Sequence, residues 1–179
     1  ERPLLNVGCG GNMAGFSGPD VCHLDMDVWN YPNFIHGDAH RLPFRTEAFA
    51  CVVLGDVLEH VLDPAQVLRE AGRVAPKVVM TTFEEWRLGG VGRNVQRGQE
   101  LFAPVGVGGL APFIALGQCR RATPESVQSH VPHIWQWDRE LLLAVIDQAG
   151  LVVERDETDC PGVHEGHRML NYLFVLRRC

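Results

Sequence analysis

Short strand-like runs, separated by glycine, proline and acidic residues, organise the first eighty residues of the chain. Leu4–Val7, Val21–Met26, Asn33–His36, Cys51–Leu54 and Lys77–Thr82 each have the length and character of a sheet strand. Between the last two, Asp63, Pro64 and Gln66 supply a helix cap, a first-turn proline and a reciprocal capping partner. Val67, Leu68, Ala71 and Val74 then recur at helical spacing until Pro76 ends the run. A second helix is predicted after the cap Asp138, with Leu141, Leu142, Val145, Ile146 and Ala149 on one face and Gly150 closing it. Strands Leu151–Glu154 and Met169–Leu176 follow, the latter apolar enough to be covered on both faces. Strands alternating with helices imply an α/β sheet.

Residues 83–136 break this pattern. They hold eight glycines (89, 90, 92, 98, 106, 108, 109 and 117) and Pro104, Pro112 and Pro124, with neither period sustained. So long a connection inside one domain is expected to be a substrate-binding insertion or lid with short helices. Phe83, Trp86, Phe102, Phe113 and Trp135 offer apolar platforms; Arg87, Arg93, Arg97, Arg120 and Arg121 either meet an anionic group or are simply solvated. Residues 1–179 are read as a single domain.

A net charge of −6 argues against a broad nucleic-acid face. No apolar run approaches the roughly 20 residues of a membrane span, and no signal-peptide pattern precedes the first strand. Six cysteines without a C-x-x-C spacing suggest free thiols in a reducing cytoplasm.

The candidate chemistry begins at Leu4-Leu5-Asn6-Val7-Gly8-Cys9-Gly10-Gly11-Asn12, a strand running straight into a glycine-rich turn. Glycines at 8 and 10 remove side chains that would hold a ligand off the backbone. A dinucleotide fingerprint needs a third glycine where this chain has Met13, which disfavours NAD. About fifteen residues on, Asp25 is placed to accept both hydroxyl hydrogens of a ribose; Asp27 either shares that role or caps the next turn.

Asn6-Val7-Gly8-Cys9-Gly10, Leu24-Asp25-Met26-Asp27, Gly37-Asp38-Ala39-His40-Arg41-Leu42-Pro43-Phe44 and Leu58-Glu59-His60-Val61 occur in that order. Together they resemble the successive motifs of the class I S-adenosylmethionine-dependent methyltransferases, in particular the small-molecule-type branch (methyltransferase type 11). The resemblance implies a Rossmann-like, mostly parallel seven-stranded sheet of order 3-2-1-4-5-7-6, strand 7 antiparallel, flanked by helices in three layers. It implies S-adenosyl-L-methionine as cofactor, held by Asn6, Gly8, Cys9, Gly10, Asp25, Met26, Asp38, Ala39, Gly55, Asp56 and His60. Within that set Asp38 accepts from the adenine amino group while the next amide, at Ala39, donates to the ring. His60 contacts the cofactor or only packs locally. His130 and His133, before the last helix, are candidates to face the acceptor, so the catalytic candidates are His130, His133 and His60.

Two features depart from the family: Asn12 stands where the motif has a further glycine, and residues 12–20 are too broken for the usual helix. Both imply a more open methionine end, or one that another segment must close. The Asp/Asn-Pro-Pro-aromatic motif that nucleobase amino-methyltransferases carry after strand 4 is absent from this sequence. Cys160, His164 and His167 have zinc-compatible spacing but no evident fourth ligand, so no metal is expected and the segment reads as a polar loop. The expected partner is a small-molecule acceptor methylated on oxygen, nitrogen or carbon. A protein or RNA methyltransferase, and a cofactor-binding module that does not methylate or does non-methyl chemistry, remain as alternatives.

Overall fold

The computed structural model describes residues 2–10, 18–83, 137, 139–164 and 167–179, with only the backbone described for 83, 160–164 and 167–170. The elements are β1 (Leu4–Val7), β2 (Val21–Asp25), β3 (Phe34–His36), β4 (Cys51–Gly55), α1 (Pro64–Val74), β5 (Lys77–Phe83), α2 (Arg139–Gln148), β6 (Leu151–Asp156), β7 (Asp159–His164) and β8 (His167–Arg178).

The sheet runs β3-β2-β1-β4-β5-β8-β6, with β7 paired to β8. β1 to β5 are mutually parallel, and β8 is antiparallel to β5, β6 and β7. Apart from β7 this is the expected order, β8 being the seventh strand of that scheme. The segment expected to be a polar loop is instead β7, which corrects the sequence reading. β8 is twelve residues long, and β6 covers it only from Phe174 to Arg178. Its first half would otherwise present unpaired backbone groups, and β7 takes them from His167 to Asn171. Between the two, Glu157 N–H donates to the Leu173 carbonyl at 2.9 Å. Pro161 is accommodated because the register shifts between Asp159 and Gly162.

α1 starts as expected, with the Asp63 carboxylate accepting from the Gln66 N–H at 2.9 Å and Pro64 in the first turn. The reciprocal half of the cap does not form: the Gln66 side chain donates to the His40 carbonyl at 3.2 Å, and the Asp63 N–H donates to His40 Nε2 at 3.1 Å. Gly72 brings α1 so close to β6 that a Cβ there would lie 2.8 Å from Leu151 Cδ2. Leu5, Val52, Leu54, Val78, Met80, Phe174 and Leu176 of the sheet are fully buried, with Leu68 and Val74 of α1 and Leu142 and Val145 of α2.

The turn leading to β4 is tied to α1 by charge. Glu70 accepts from the Leu42 N–H (2.8 Å) and from Arg73, whose guanidinium also donates to the carbonyls of Phe44 (2.8 Å) and Leu42 (3.0 Å). The Arg73 hydrogen bond holds the Glu70 carboxyl below its ordinary range against the opposing effect of burial, helped by the Leu42 amide.

Candidate cofactor site

At the end of β1 the chain must turn sharply over β2. Gly8 adopts φ +67° and Gly10 φ +54°, the left-handed region that only glycine enters freely. The Gly8 and Cys9 amides both reach the Leu24 carbonyl, at 2.8 and 3.3 Å. Gly10 N–H donates to Asp25 Oδ2 at 2.8 Å. A Cβ on Gly8 would sit 2.6 Å from Val57 Cγ2, so the turn also depends on close approach to the loop after β4.

Asp25 closes β2. Its Oδ1 accepts from the Asp27 N–H at 2.9 Å while Oδ2 holds Gly10. Each carboxylate oxygen keeps a second lone pair, which suits a vicinal diol donating two hydrogen bonds. Trp29 follows, stacked on Tyr31 with centroids 6.2 Å apart and planes at 11°.

After β3, Gly37 N–H donates to the Asp25 carbonyl at 2.9 Å, and Asp38 starts a tight turn. Its Oδ1 accepts from the His40 N–H at 2.9 Å and lies 2.7 Å from His40 Nδ1. The His40 amide, opposed by desolvation and joined by the His40 ring, holds the Asp38 carboxyl below its ordinary range, so it is ionised at neutral pH. After β4, Asp56 stands at φ +51°. It is anchored by its N–H to the Thr81 carbonyl (3.1 Å) and by the Thr81 hydroxyl to its Oδ1 (2.9 Å).

These four loops enclose a cavity of about 470 Å³. Of the residues singled out from sequence, Gly8, Gly10, Asp25, Met26, Asp38, Ala39, Asp56 and His60 line it. Asn6, Cys9 and Gly55 are not among its lining residues. Asn6 is buried within β1, its amide nitrogen 3.4 Å from His23 Nδ1 on β2. Cys9 is buried, and burial first, then the Asp25 charge, pushes its thiol up to about 11. Gly55 ends β4 against Thr81, whose hydroxyl would be 3.9 Å from a Cβ. His130, His133 and residues 84–136 of the insertion expected over 83–136 lie outside the described residues, residue 83 being the last of β5.

Sequence reasoning missed Leu24, Trp29, His40, Val57 and Val61 as lining residues. Trp29 and His40 sit within four and two residues of the acids already singled out, and His40 also falls inside the motif that begins at Gly37. Asp25, Asp27, Asp38 and Asp56 make the wall acidic. That suits a cationic ligand rich in donors and opposes a pyrophosphate.

A second cavity of about 340 Å³ opens at the ends of β5 and β8, lined by Asp56, Thr81, Thr82, Glu157, Asp159, Asn171, Tyr172 and Leu173. Asp56 belongs to both walls. No group of three His, Cys, Asp or Glu side chains converges as a metal site among the described residues, which exclude the side chains of Cys160, His164 and His167. Nor is any described helix long and apolar enough to cross a membrane.

Residues 5–77 match the family model described as a methyltransferase domain. No curated protein sequence matches the chain at a significant level. Solved structures share its fold at low identity. An S-adenosylmethionine-dependent methyltransferase from Methanosarcina mazei is 12% identical with a TM-score of 0.61, over 99% of this chain and 92% of that one. One from Mesorhizobium loti is 17% identical with a TM-score of 0.62, over 98% and 90%. The magnesium protoporphyrin IX methyltransferase of Synechocystis PCC 6803, solved with bound S-adenosylhomocysteine, is 12% identical with a TM-score of 0.54, over 99% and 74%. Residues 5–77 thus match a methyltransferase domain, and the whole described fold is the one seen in S-adenosylmethionine-dependent methyltransferases of known structure.

Proposed function

We propose that the protein transfers the sulfonium methyl group of S-adenosylmethionine to a nucleophilic oxygen, nitrogen or carbon atom of a small-molecule acceptor. The observation that carries this reading is the pair of cavities meeting at Asp56, one sized for a nucleoside and its side chain, the other for a compact acceptor. Asp25 takes the ribose hydroxyls, and Asp38 with the Ala39 amide takes the adenine edge. The glycine turn at 8 and 10, where a Cβ on Gly8 would meet Val57 and Gly10 stands at positive φ, carries the methionine portion past the end of β1. When bound, the cofactor supplies an electrophilic methyl carbon.

The chain's own contribution is largely positional. The acceptor nucleophile has to approach in line with the bond to sulfur, at close contact and with water excluded, which can supply much of the rate. The cofactor would supply the methyl group and keep the electrons of its carbon–sulfur bond as S-adenosylhomocysteine, and any acceptor proton would pass to a base or to water. His60 lines the first cavity and is a candidate for that proton. His130 and His133 stand beside it as candidates from the sequence. The net charge of −6 favours a small acceptor over a nucleic acid, and the unpaired thiols of Cys9, Cys22 and Cys51 fit a cytoplasmic protein.

Titration calorimetry with S-adenosylmethionine, S-adenosylhomocysteine and NAD tests the pocket: the two sulfur ligands should bind and NAD should not. An acceptor screen by mass spectrometry tests the reaction, with S-adenosylhomocysteine appearing in proportion to a methylated small product. Methylation of only protein or RNA, or cofactor binding without methyl transfer to any acceptor class, would overturn the proposal.

A further inference from the structure

His40 is half-buried in the wall of the first cavity, and its polar groups have defined partners. Its N–H donates to Asp38 Oδ1 (2.9 Å), its Nδ1 lies 2.7 Å from the same oxygen, and its carbonyl accepts from Gln66 Nε2 (3.2 Å). Its Nε2 faces the Asp63 N–H at 3.1 Å. A backbone N–H can only donate, so Nε2 is the acceptor and carries no proton. The ring proton therefore sits on Nδ1 and is given to Asp38.

Two consequences follow for the turn after β3. Both bonds from His40 fall on Oδ1 of Asp38, and Oδ2 accepts none among the described residues. The far side of the ring is fixed to Asp63, the residue whose carboxylate caps α1. The imidazole is thus a strut between the start of a buried helix and a half-exposed carboxylate in the cavity wall.

We propose that His40 is a positioning residue for base recognition: it clamps one oxygen of Asp38 against the α1 cap and leaves the other as the acceptor for an exocyclic amine, setting the preference for adenine over hypoxanthine. This rests on the reading of the cavity as the cofactor site. Hypoxanthine carries an oxygen where adenine carries the amine, so a clamped carboxylate meets it acceptor to acceptor. A carboxylate free to rotate can turn away, admit a water and tolerate either base. A merely structural role for His40 would weaken both ligands equally.

The test is calorimetry of the full chain with S-adenosylhomocysteine and S-inosylhomocysteine, on the parent and on Asp38→Ala, His40→Ala, His40→Asn and His40→Gln. The parent should prefer the adenine ligand by at least about 100-fold, as sites built around a polar edge do. His40→Ala should lose about tenfold of that preference, the scale of one hydrogen bond to a charged group. His40→Asn, whose amide replaces the Nδ1 donor, should recover most of it. His40→Gln, which reaches toward Asp63 but not back to Asp38, should not, and the Asn and Gln pair decides the matter if His40→Ala fails to fold. Preference lost in Asp38→Ala but kept in His40→Ala or His40→Gln would overturn the role of His40 alone. Preference kept in Asp38→Ala would overturn the cavity reading and the role of His40 with it.

Discussion

Gly8 is the position where the fold and the site make the same demand, and Gly8→Ala measures it. Two costs are separable. Placing a Cβ residue at φ +67° costs about 1–2 kcal/mol, because the left-handed conformation crowds Cβ against the following carbonyl. The added methyl also falls 2.6 Å from Val57 Cγ2 and 3.3 Å from Cγ1. Val57 is buried in the core, so relief requires an off-rotamer side chain or a shifted loop, at about 1–3 kcal/mol. The sum, about 2–5 kcal/mol, is a large fraction of the roughly 5–15 kcal/mol by which domains are stable.

Urea unfolding of four proteins, the parent, Gly8→Ala, Val57→Ala and the double variant, separates the costs as a double-mutant cycle. In the Val57→Ala background, Gly8→Ala should cost only the backbone share, about 1–2 kcal/mol. The coupling between the two sites should be about 1–3 kcal/mol and favourable to the pair. An equal cost of Gly8→Ala in both backgrounds would refute the close-approach argument. A cost below about 1 kcal/mol in the parent would refute the conformational one as well.

Further outcomes follow from the same geometry. Asp25→Ala and Asp38→Ala should each weaken binding of S-adenosylhomocysteine by about 1–3 kcal/mol in calorimetry, the scale for leaving polar partners unpaired; parental affinity in both folded variants would displace the site. Glu70 is held below its ordinary value of 4.5 in the folded protein, so the stability it contributes is full above that pH and is lost as pH falls through the lower, folded value. Glu70→Gln should therefore cost about 1–3 kcal/mol at neutral pH and show a shallower loss of stability below pH 4.5 than the parent in acid-dependent urea melts. With its thiol at about 11, Cys9 is only about one part in a thousand thiolate at pH 8. Iodoacetamide mapped by mass spectrometry should modify the exposed Cys179 well before Cys9.

The parts of this molecule legible in the sequence are those set by neighbours along the chain. β1 has the bounds expected, and α1 and β2 to β5 differ by about one residue, because caps, prolines and glycines stop elements locally. The acids at 25 and 38 are visible because Asp25 ends β2 and Asp38 stands two residues past the end of β3. What escaped depends on partners distant in sequence. Asn6 appeared as a pocket residue on the strength of its motif. Its burial beside His23 follows from the β1–β2 register, which pairs the two residues and which no local signal carries. β7 was hidden by Pro161 and Gly162, turn-forming residues that belong to a strand here only because the first half of β8 has a free edge.

The same distinction separates the two cavities. The described residues that line the first fall within 8–61, in loops that follow successive parallel strands, so adjacency in the chain becomes adjacency in space. The second joins Asp56, Thr81 and Thr82 to residues 157–173, which reach the site only because β8 inserts antiparallel between β5 and β6. Its shape therefore follows from pairings across about a hundred residues, and changes in β8 alter it without touching any cofactor motif. On the proposed reading of the two cavities, a fold of this kind keeps its cofactor site constant while its acceptor site varies. Asp56, anchored through Thr81 and shared by both walls, is the residue through which a change on one side would be felt on the other.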